Sequence, residues 1–369
     1  MHEQDLAECF ADSVWHCEHH NLDLNSVGKF GLSTIPRQQG FKVVLTGEGA
    51  DEHFAGYPFF PSDFLREPDL AMPNVLLNRD ADLRDALQKT AQSELAEQAV
   101  KMGMISHGWE DCEAFSAVNE VRMPASANMW HPTIDSLAEW VQANWIGTDS
   151  RMTPVNALSA EARENIRTKW HPLHSSEYIW SKTALTNVLL TCLGDRTEMA
   201  HSIEARPPFL DHIVSEYVNQ IPPSLKLAYT PTKGKEERDQ GPWWENHDAH
   251  GNHFSEKWIL REVAKPFITQ ELYERKKHPY TAPLKWRKGG PLHSLFQTMC
   301  TREAIEDLGF VDYDVFEKAF DQGFGDDANA GMFRFVLCVA SWVTLGKRFG
   351  IKKANVKDYA VGNGRIVET

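Results

Sequence analysis

Gly47-Glu48-Gly49-Ala50-Asp51-Glu52 sets three carboxylates within five residues, interleaved with glycines. Glycines at that spacing let a backbone approach a ligand closely. Like charges so crowded cost free energy unless a cation or a basic group is at hand. A magnesium ion on one oxygen ligand and a general base on another would meet that requirement. The same residues also read as an acidic, Gly-rich turn at a helix N-terminus, where acids are favoured in any case. Spacing alone leaves both readings open.

A second stretch runs Asp195-Arg196, Met199, Ile203-Glu204, Arg206, Pro208-Phe209-Leu210-Asp211. Its alternating acids and arginines predict buried or half-buried ion pairs, which would mainly brace a loop. A third, Arg275-Lys276-Lys277-His278-Pro279-Tyr280 with Ala282-Pro283, is a compact basic loop stiffened by prolines. It would stabilise charge on a phosphate or carboxylate, or it is a solvated basic turn. His16 and His20 stand four apart near Cys17 and His19, and His247, His250 and His253 share a charged stretch. Metal binding is the weaker reading of both groups, because such sets seldom close a four-ligand site.

Elements must present these residues. Val43-Val44-Leu45 is short and β-branched, which predicts a buried parallel strand feeding the Gly-rich loop. Strand-to-loop edges of this kind are where open α/β sheets bind ligands. Leu6, Phe10, Val14 and Cys17 recur at helical spacing, predicting a helix over 5–17. Further helices are expected at 27–39, 80–104, 159–169, 175–193 and 255–263. Residues 230–253 are charged, Gly-bearing and aperiodic, and read as a surface loop. Phe333 to Phe349 predicts an apolar core helix, its longest apolar run, Phe333 to Leu345, being shorter than the ~20 residues that cross a bilayer.

The 369 residues are 42% hydrophobic and 24% charged, as in folded globular chains. A net charge of −14 repels phosphate backbones, so nucleic acid is a poor partner. Six cysteines without a CxxC pair predict free thiols. The first residues, MHEQDLAECF, do not read as a secretory signal. A cytoplasmic protein with no membrane partner is the expectation.

Taken in order, KVVLTGEGADEHFAGY, DRTEMAHSIEARPPFLDH, EKWILREVAKP and RKKHPYTAP resemble the synthetase domain of glutamine-dependent asparagine synthetases and the related β-lactam synthetases. The likeness extends to about Phe349. It implies an α/β, adenine-nucleotide hydrolase-like parallel sheet followed by a largely helical C-terminal part, with 1–350 as the domain and 351–369 as a flexible tail. It implies ATP-dependent activation of a carboxylate as an acyl-adenylate, then attack by ammonia or an amine. Aspartate is the default carboxylate. By motif position the resemblance makes Glu48 and Lys277 catalytic, Gly47 and Gly49 the backbone against nucleotide or acyl intermediate, and Asp51 a magnesium ligand. The physics agrees: adenylation builds negative charge that magnesium and a lysine offset, and amide formation needs a base for the attacking nitrogen.

The sequence departs from the family twice. His2 stands where glutamine-dependent members have a catalytic cysteine, so no glutaminase activity is expected. No SGGxDS occurs ahead of Val43. That loop holds pyrophosphate through a nest of backbone amides. The sheet is therefore expected to be N-terminally incomplete, ATP binding by this chain alone to be weak, and a partner chain able to supply the absent strands. Two readings follow. The chain is an amide-forming ligase, or half of a split one; or it is a non-catalytic remnant acting as a binding or partner subunit.

Overall fold

A computed structural model describes residues 1–104, 117–128, 136–145, 149–230, 254–275 and 280–355. The protein is mixed α/β, with many helices around short strands. The site is built on ten elements: α1 (Glu3–Cys17), α2 (Asn25–Leu32), β1 (Val43–Leu45), α3 (Ala50–His53), α4 (Pro172–Trp180), α5 (Arg196–Met199), β2 (Glu204–Arg206), α6 (Pro223–Lys226), α7 (Trp258–Ala264) and α8 (Ala330–Phe349).

Helix α1 begins with acids in its first turn, where the helix dipole favours them, and the backbone N–H of His2 donates to Asp5 Oδ2 at 2.6 Å. Leu6, Phe10, Val14 and Cys17 form its buried face, as their spacing predicts. That face meets α2 and α8; Phe10 packs edge-on against Phe296 with ring centroids 4.9 Å apart. Helix α8 is 20 residues long and passes, by length and composition alone, for a membrane span, although the apolar run in the sequence looked too short. It is 61% buried inside the protein, among Phe10, Val14 and Phe296, which is the environment of a core helix.

β1 pairs in parallel with β2, in register Val43–Glu204, Val44–Ala205 and Leu45–Arg206. The parallel pairing is as expected; the burial is not. Val43 is 38% exposed, Leu45 74% and the preceding Phe41 62%. Among the described residues the sheet has two strands; the face bearing Val43, Leu45, Glu204 and Arg206 is exposed, while Val44 and Ala205 on the other face are half-buried.

Helices occupy 81–101, 160–168 and 258–264, close to expectation, with Ser159 capping the second through a 3.1 Å bond from Ala162 N–H. The single helix expected at 27–39 is broken into α2 and a second, five-residue helix, Thr34–Gln38. The helix expected at 175–193 starts as α4 and then continues, over Ser181–Asp195, as a wider π-wound helix. Thr186 and Thr191 hydroxyls reach carbonyls five residues back, Ser181 and Thr186, which accompanies the looser winding. Residues 231–253 and 356–369, covering most of the expected surface loop and of the expected tail, lie outside the described residues. The five described cysteines are free thiols; burial pushes Cys17 up to about 11 and Cys300 and Cys338 up to about 12.

Candidate active site

The Gly-rich loop leaves the C-terminal end of β1, where Thr46 N–H donates to Arg206 O at 3.1 Å. Its three carboxylates go to three different partners. Glu48 Oε1 lies 3.6 Å from Lys29 Nζ on α2. Asp51 Oδ1 lies 2.8 Å from Lys257 Nζ, just before α7. Glu52 turns inward, accepting from Gly49 N–H at 3.0 Å and from Tyr57 Oη at 2.6 Å. Burial holds the Glu52 carboxyl above its ordinary range, opposed by the Tyr57 hydrogen bond; burial and then the Glu52 charge push Tyr57 up in turn. Two lysines and one internal brace thus answer the crowding of like charge that the sequence posed.

The two glycines do different work. Gly49 has φ 94°, and a Cβ there would stand 2.3 Å from Leu210 Cδ2, so it allows the second stretch to close onto the loop. At Gly47 a Cβ would meet nothing within 4 Å among the described residues. That leaves open space beside the loop, which a ligand can approach.

The expected buried pairing within the second stretch is largely corrected. Glu204 and Arg206 pair with each other at 2.8 Å but are 58% and 60% exposed, on the same side of a strand that is open there. Arg196 is part-exposed and reaches Cys17 O and Glu18. Asp211 accepts backbone N–H bonds from Ile213 and Val214 at the start of the next helix. The buried exception is Glu198, whose partner is outside the stretch: Lys29 Nζ, at 3.0 Å.

Lys276 to Pro279, with Lys277 among them, lie outside the described residues. The flanking part of that loop rests on α2. Ala282 N–H donates to Asn25 Oδ1 at 2.7 Å, and the Tyr280 hydroxyl lies where a Cβ on Gly28 would be 2.5 Å away. Burial, with the charge of Asp23, holds the Tyr280 hydroxyl above its ordinary value. Helix α2 is therefore common ground for all three stretches.

Sequence reasoning missed Lys29, Glu198 and Lys257. Lys257 falls inside EKWILREVAKP, which carried the resemblance but no assigned role. Lys29 gave no signal, since its partners are distant in sequence. Of the histidine groups, His19 and His20 stack with ring centroids 4.4 Å apart, and burial drops His20 to about 4. His247, His250 and His253 lie outside the described residues. Among the described residues no group of three or more His, Cys, Asp or Glu side chains is disposed to hold a metal ion. Asp51 offers a single carboxylate, its Oδ1 2.8 Å from Lys257 Nζ; magnesium is commonly bound through one or two carboxylates together with substrate phosphates and water.

Behind the loop lies a buried charge pair. Lys226 Nζ, on α6, donates to Glu177 Oε2, on α4, at 2.6 Å, with both side chains essentially closed to solvent. Burial raises Glu177 to about 7 against the lowering effect of Lys226. Burial, then the Lys226 charge, drops neighbouring His174 to about 3 and also lowers His53.

A parallel strand ending in a Gly-rich acidic loop, braced by a second sequence stretch, belongs to a known family. Residues 1–343 match the asparagine synthase family model, and the chain is a member of that family. It is 37% identical over 363 residues to Amidase chyE of Penicillium rubens, covering 96% of this chain and 49% of that protein. It is 33% identical over 359 residues to Amidase chry2 of Gibberella zeae, again covering 96% and 49%. A putative asparagine synthetase (glutamine-hydrolyzing) of Mycobacterium tuberculosis is 25% identical over 290 residues, 78% of this chain and 37% of that protein. The chain spans about half the length of the curated relatives it matches most fully. No solved structure matches it.

Proposed function

We propose that the chain forms the synthetase part of an ATP-dependent, amide-forming ligase with an adenine-nucleotide hydrolase-like domain over 1–350, acting in the cytoplasm. The observation that carries this is the separation of roles in one loop: Glu48 and Asp51 stand apart at the end of a parallel strand, each beside its own lysine. Glu48, part-exposed, takes a proton from the attacking ammonia or amine. Asp51 is the residue that would hold magnesium, which when bound offsets charge on the phosphoryl oxygens. Open space beside Gly47 gives a nucleotide or acyl group access to the backbone. Lys277, by its place in the basic loop, supplies positive charge as the adenylate forms and collapses.

Two similar relatives bear the name amidase and others the name asparagine synthetase. A carboxylate other than aspartate is therefore as well supported as aspartate itself. The uncovered sheet favours a second element in the reading. Phe41, Val43 and Leu45 are exposed on one face of a sheet that has two strands among the described residues, which supports a working site completed by elements from outside these residues, in the same protein or in a partner chain. If such strands are never supplied, the chain serves instead as a binding or partner subunit.

The test is carboxylate-dependent exchange of labelled pyrophosphate into ATP, run with the chain supplemented by a segment bearing the family's pyrophosphate loop, and with its Asp51→Ala variant under the same conditions. Exchange by the parent and none by a folded variant is the expected result. Equal exchange in both would remove Asp51 from the site.

A further inference from the structure

We propose that Lys29 is a positioning residue for Glu48, and that Glu198 is the buried counter-ion that keeps Lys29 in place. The inference rests on the ligase reading, in which Glu48 is the base.

The Lys29 ammonium stands between two carboxylates from different stretches of sequence, 3.0 Å from Glu198 and 3.6 Å from Glu48. The surroundings of the two acids are unlike. The Glu198 side chain is 4% exposed and the Glu48 side chain 30%. A buried carboxylate needs a cation, so Glu198 anchors Lys29 firmly. Glu48 sits on the Gly-rich loop with more freedom, and an ammonium held from behind restricts where its carboxylate can go.

The anchor is itself fixed from several directions. Just past α2, Ser33 Oγ donates to Thr197 O at 3.0 Å and contacts His201 Nδ1 at 2.7 Å. Phe30 packs edge-on against His201 with centroids 4.5 Å apart. At the other end Asn25 holds the backbone of Ala282. A base must lie within hydrogen-bond reach of its proton, and a displacement of about 1 Å can cost on the order of a hundredfold in rate. Helix α2 sets that reach for Glu48 while tying the basic loop to the same frame.

The pair can be removed without leaving a buried charge behind. In the 369-residue chain, K29M alone leaves Glu198 without its cation and lowers the melting temperature. The double variant K29M/E198M takes away both charges and recovers it. If the double variant does not fold, Lys29→Gln with Glu198→Gln keeps the polar contact without the charges and takes its place. With a segment bearing the family's pyrophosphate loop supplied, amide formation by the folded variant falls about tenfold or more in kcat, KM for ATP stays within about twofold, and Lys29→Arg keeps most of the rate. A crystal structure of the same variant has the Glu48 carboxylate displaced by about 1 Å or more. A variant with unchanged kcat, or with Glu48 unmoved, overturns the proposal. If the parent chain makes no amide even with that segment present, the ligase reading fails on its own, and the position of Glu48 still decides the positioning role.

Discussion

Lys257 Nζ and Asp51 Oδ1 are 2.8 Å apart, and the contact exists because residue 56 is glycine. A Cβ on Gly56 would lie 2.0 Å from that carboxylate oxygen and 2.8 Å from Lys257 Cε. Lys257 is itself held in the left-handed region, φ 54°, with its N–H bonded to Phe54 O at 3.1 Å. An ammonium and a magnesium ion compete for one oxygen. Lys257→Met should therefore lower the magnesium concentration needed for half-maximal pyrophosphate exchange, by several-fold. An unchanged magnesium requirement would mean that Asp51 is not the metal ligand.

Gly47 and Gly49 separate by substitution. Ala at 49 must adopt a positive φ and push Leu210 aside, at a cost of about 1–3 kcal/mol. Ala at 47 meets nothing among the described residues. Gly49→Ala should lower the melting temperature with or without ligand. Gly47→Ala should melt like the parent and lose exchange activity. A fully active Gly47→Ala protein would show that no ligand approaches that face of the loop.

These assignments divide sharply by what a sequence can display. The β1 strand was legible because Val43-Val44-Leu45 is β-branched and bounded by a turn. Its exposure was not, since burial depends on neighbours that the run does not encode. The 5–17 and 81–101 helices followed from spacing and helix formers. The π-wound course of Ser181–Asp195 did not, because it comes with threonine hydroxyls reaching back five residues within an apolar pattern that still reads as α. The crowding of Glu48 and Asp51 on one Gly-rich loop was legible by type and spacing. Their lysines were not: Lys29 reaches Glu198 across most of the first half of the chain, and Lys257 lies some two hundred residues from Asp51. Glu52, the third carboxylate of the crowd, had no assigned role; its bonds to Gly49 and Tyr57 make it a brace.

Lys226 and Glu177 supply a pH-dependent prediction. The folded Glu177 carboxyl, at about 7, lies above the unfolded value of about 4.3. Its contribution is thus fully present below the unfolded value and is lost as pH rises through about 7. Lys226→Met removes the effect that lowers Glu177, so the variant suffers most where the carboxylate would be charged. The expected penalty is about 3–5 kcal/mol near pH 8, shrinking steadily toward pH 4 as Glu177 takes up a proton. Urea midpoints for both proteins across that range check it. A pH-independent difference would show that Glu177 does not titrate there.

The last prediction concerns ATP. The 369 residues contain no SGGxDS, whose family role is to grip pyrophosphate through a nest of backbone amides. Two groups remain for the nucleotide's charge: Asp51 by way of magnesium, and Lys277 in the basic loop. Asp51 already faces Lys257, so engaging a metal first costs that contact. A hydrogen bond to a charged group contributes on the order of 1.5–3 kcal/mol net, so two give at most about 6 kcal/mol. Immobilising the nucleotide subtracts several kcal/mol more. Such a sum corresponds to a Kd no tighter than roughly 0.04 mM, and to tens of millimolar or weaker once an immobilisation cost of about 4 kcal/mol or more is counted. Isothermal titration of the chain with Mg-ATP should accordingly show weak binding or none. Addition, in trans or by fusion, of a segment bearing the family's pyrophosphate loop should tighten it. A micromolar Kd for the 369 residues alone would require a phosphate site elsewhere in this chain, and would make the chain a complete nucleotide-binding unit without further strands.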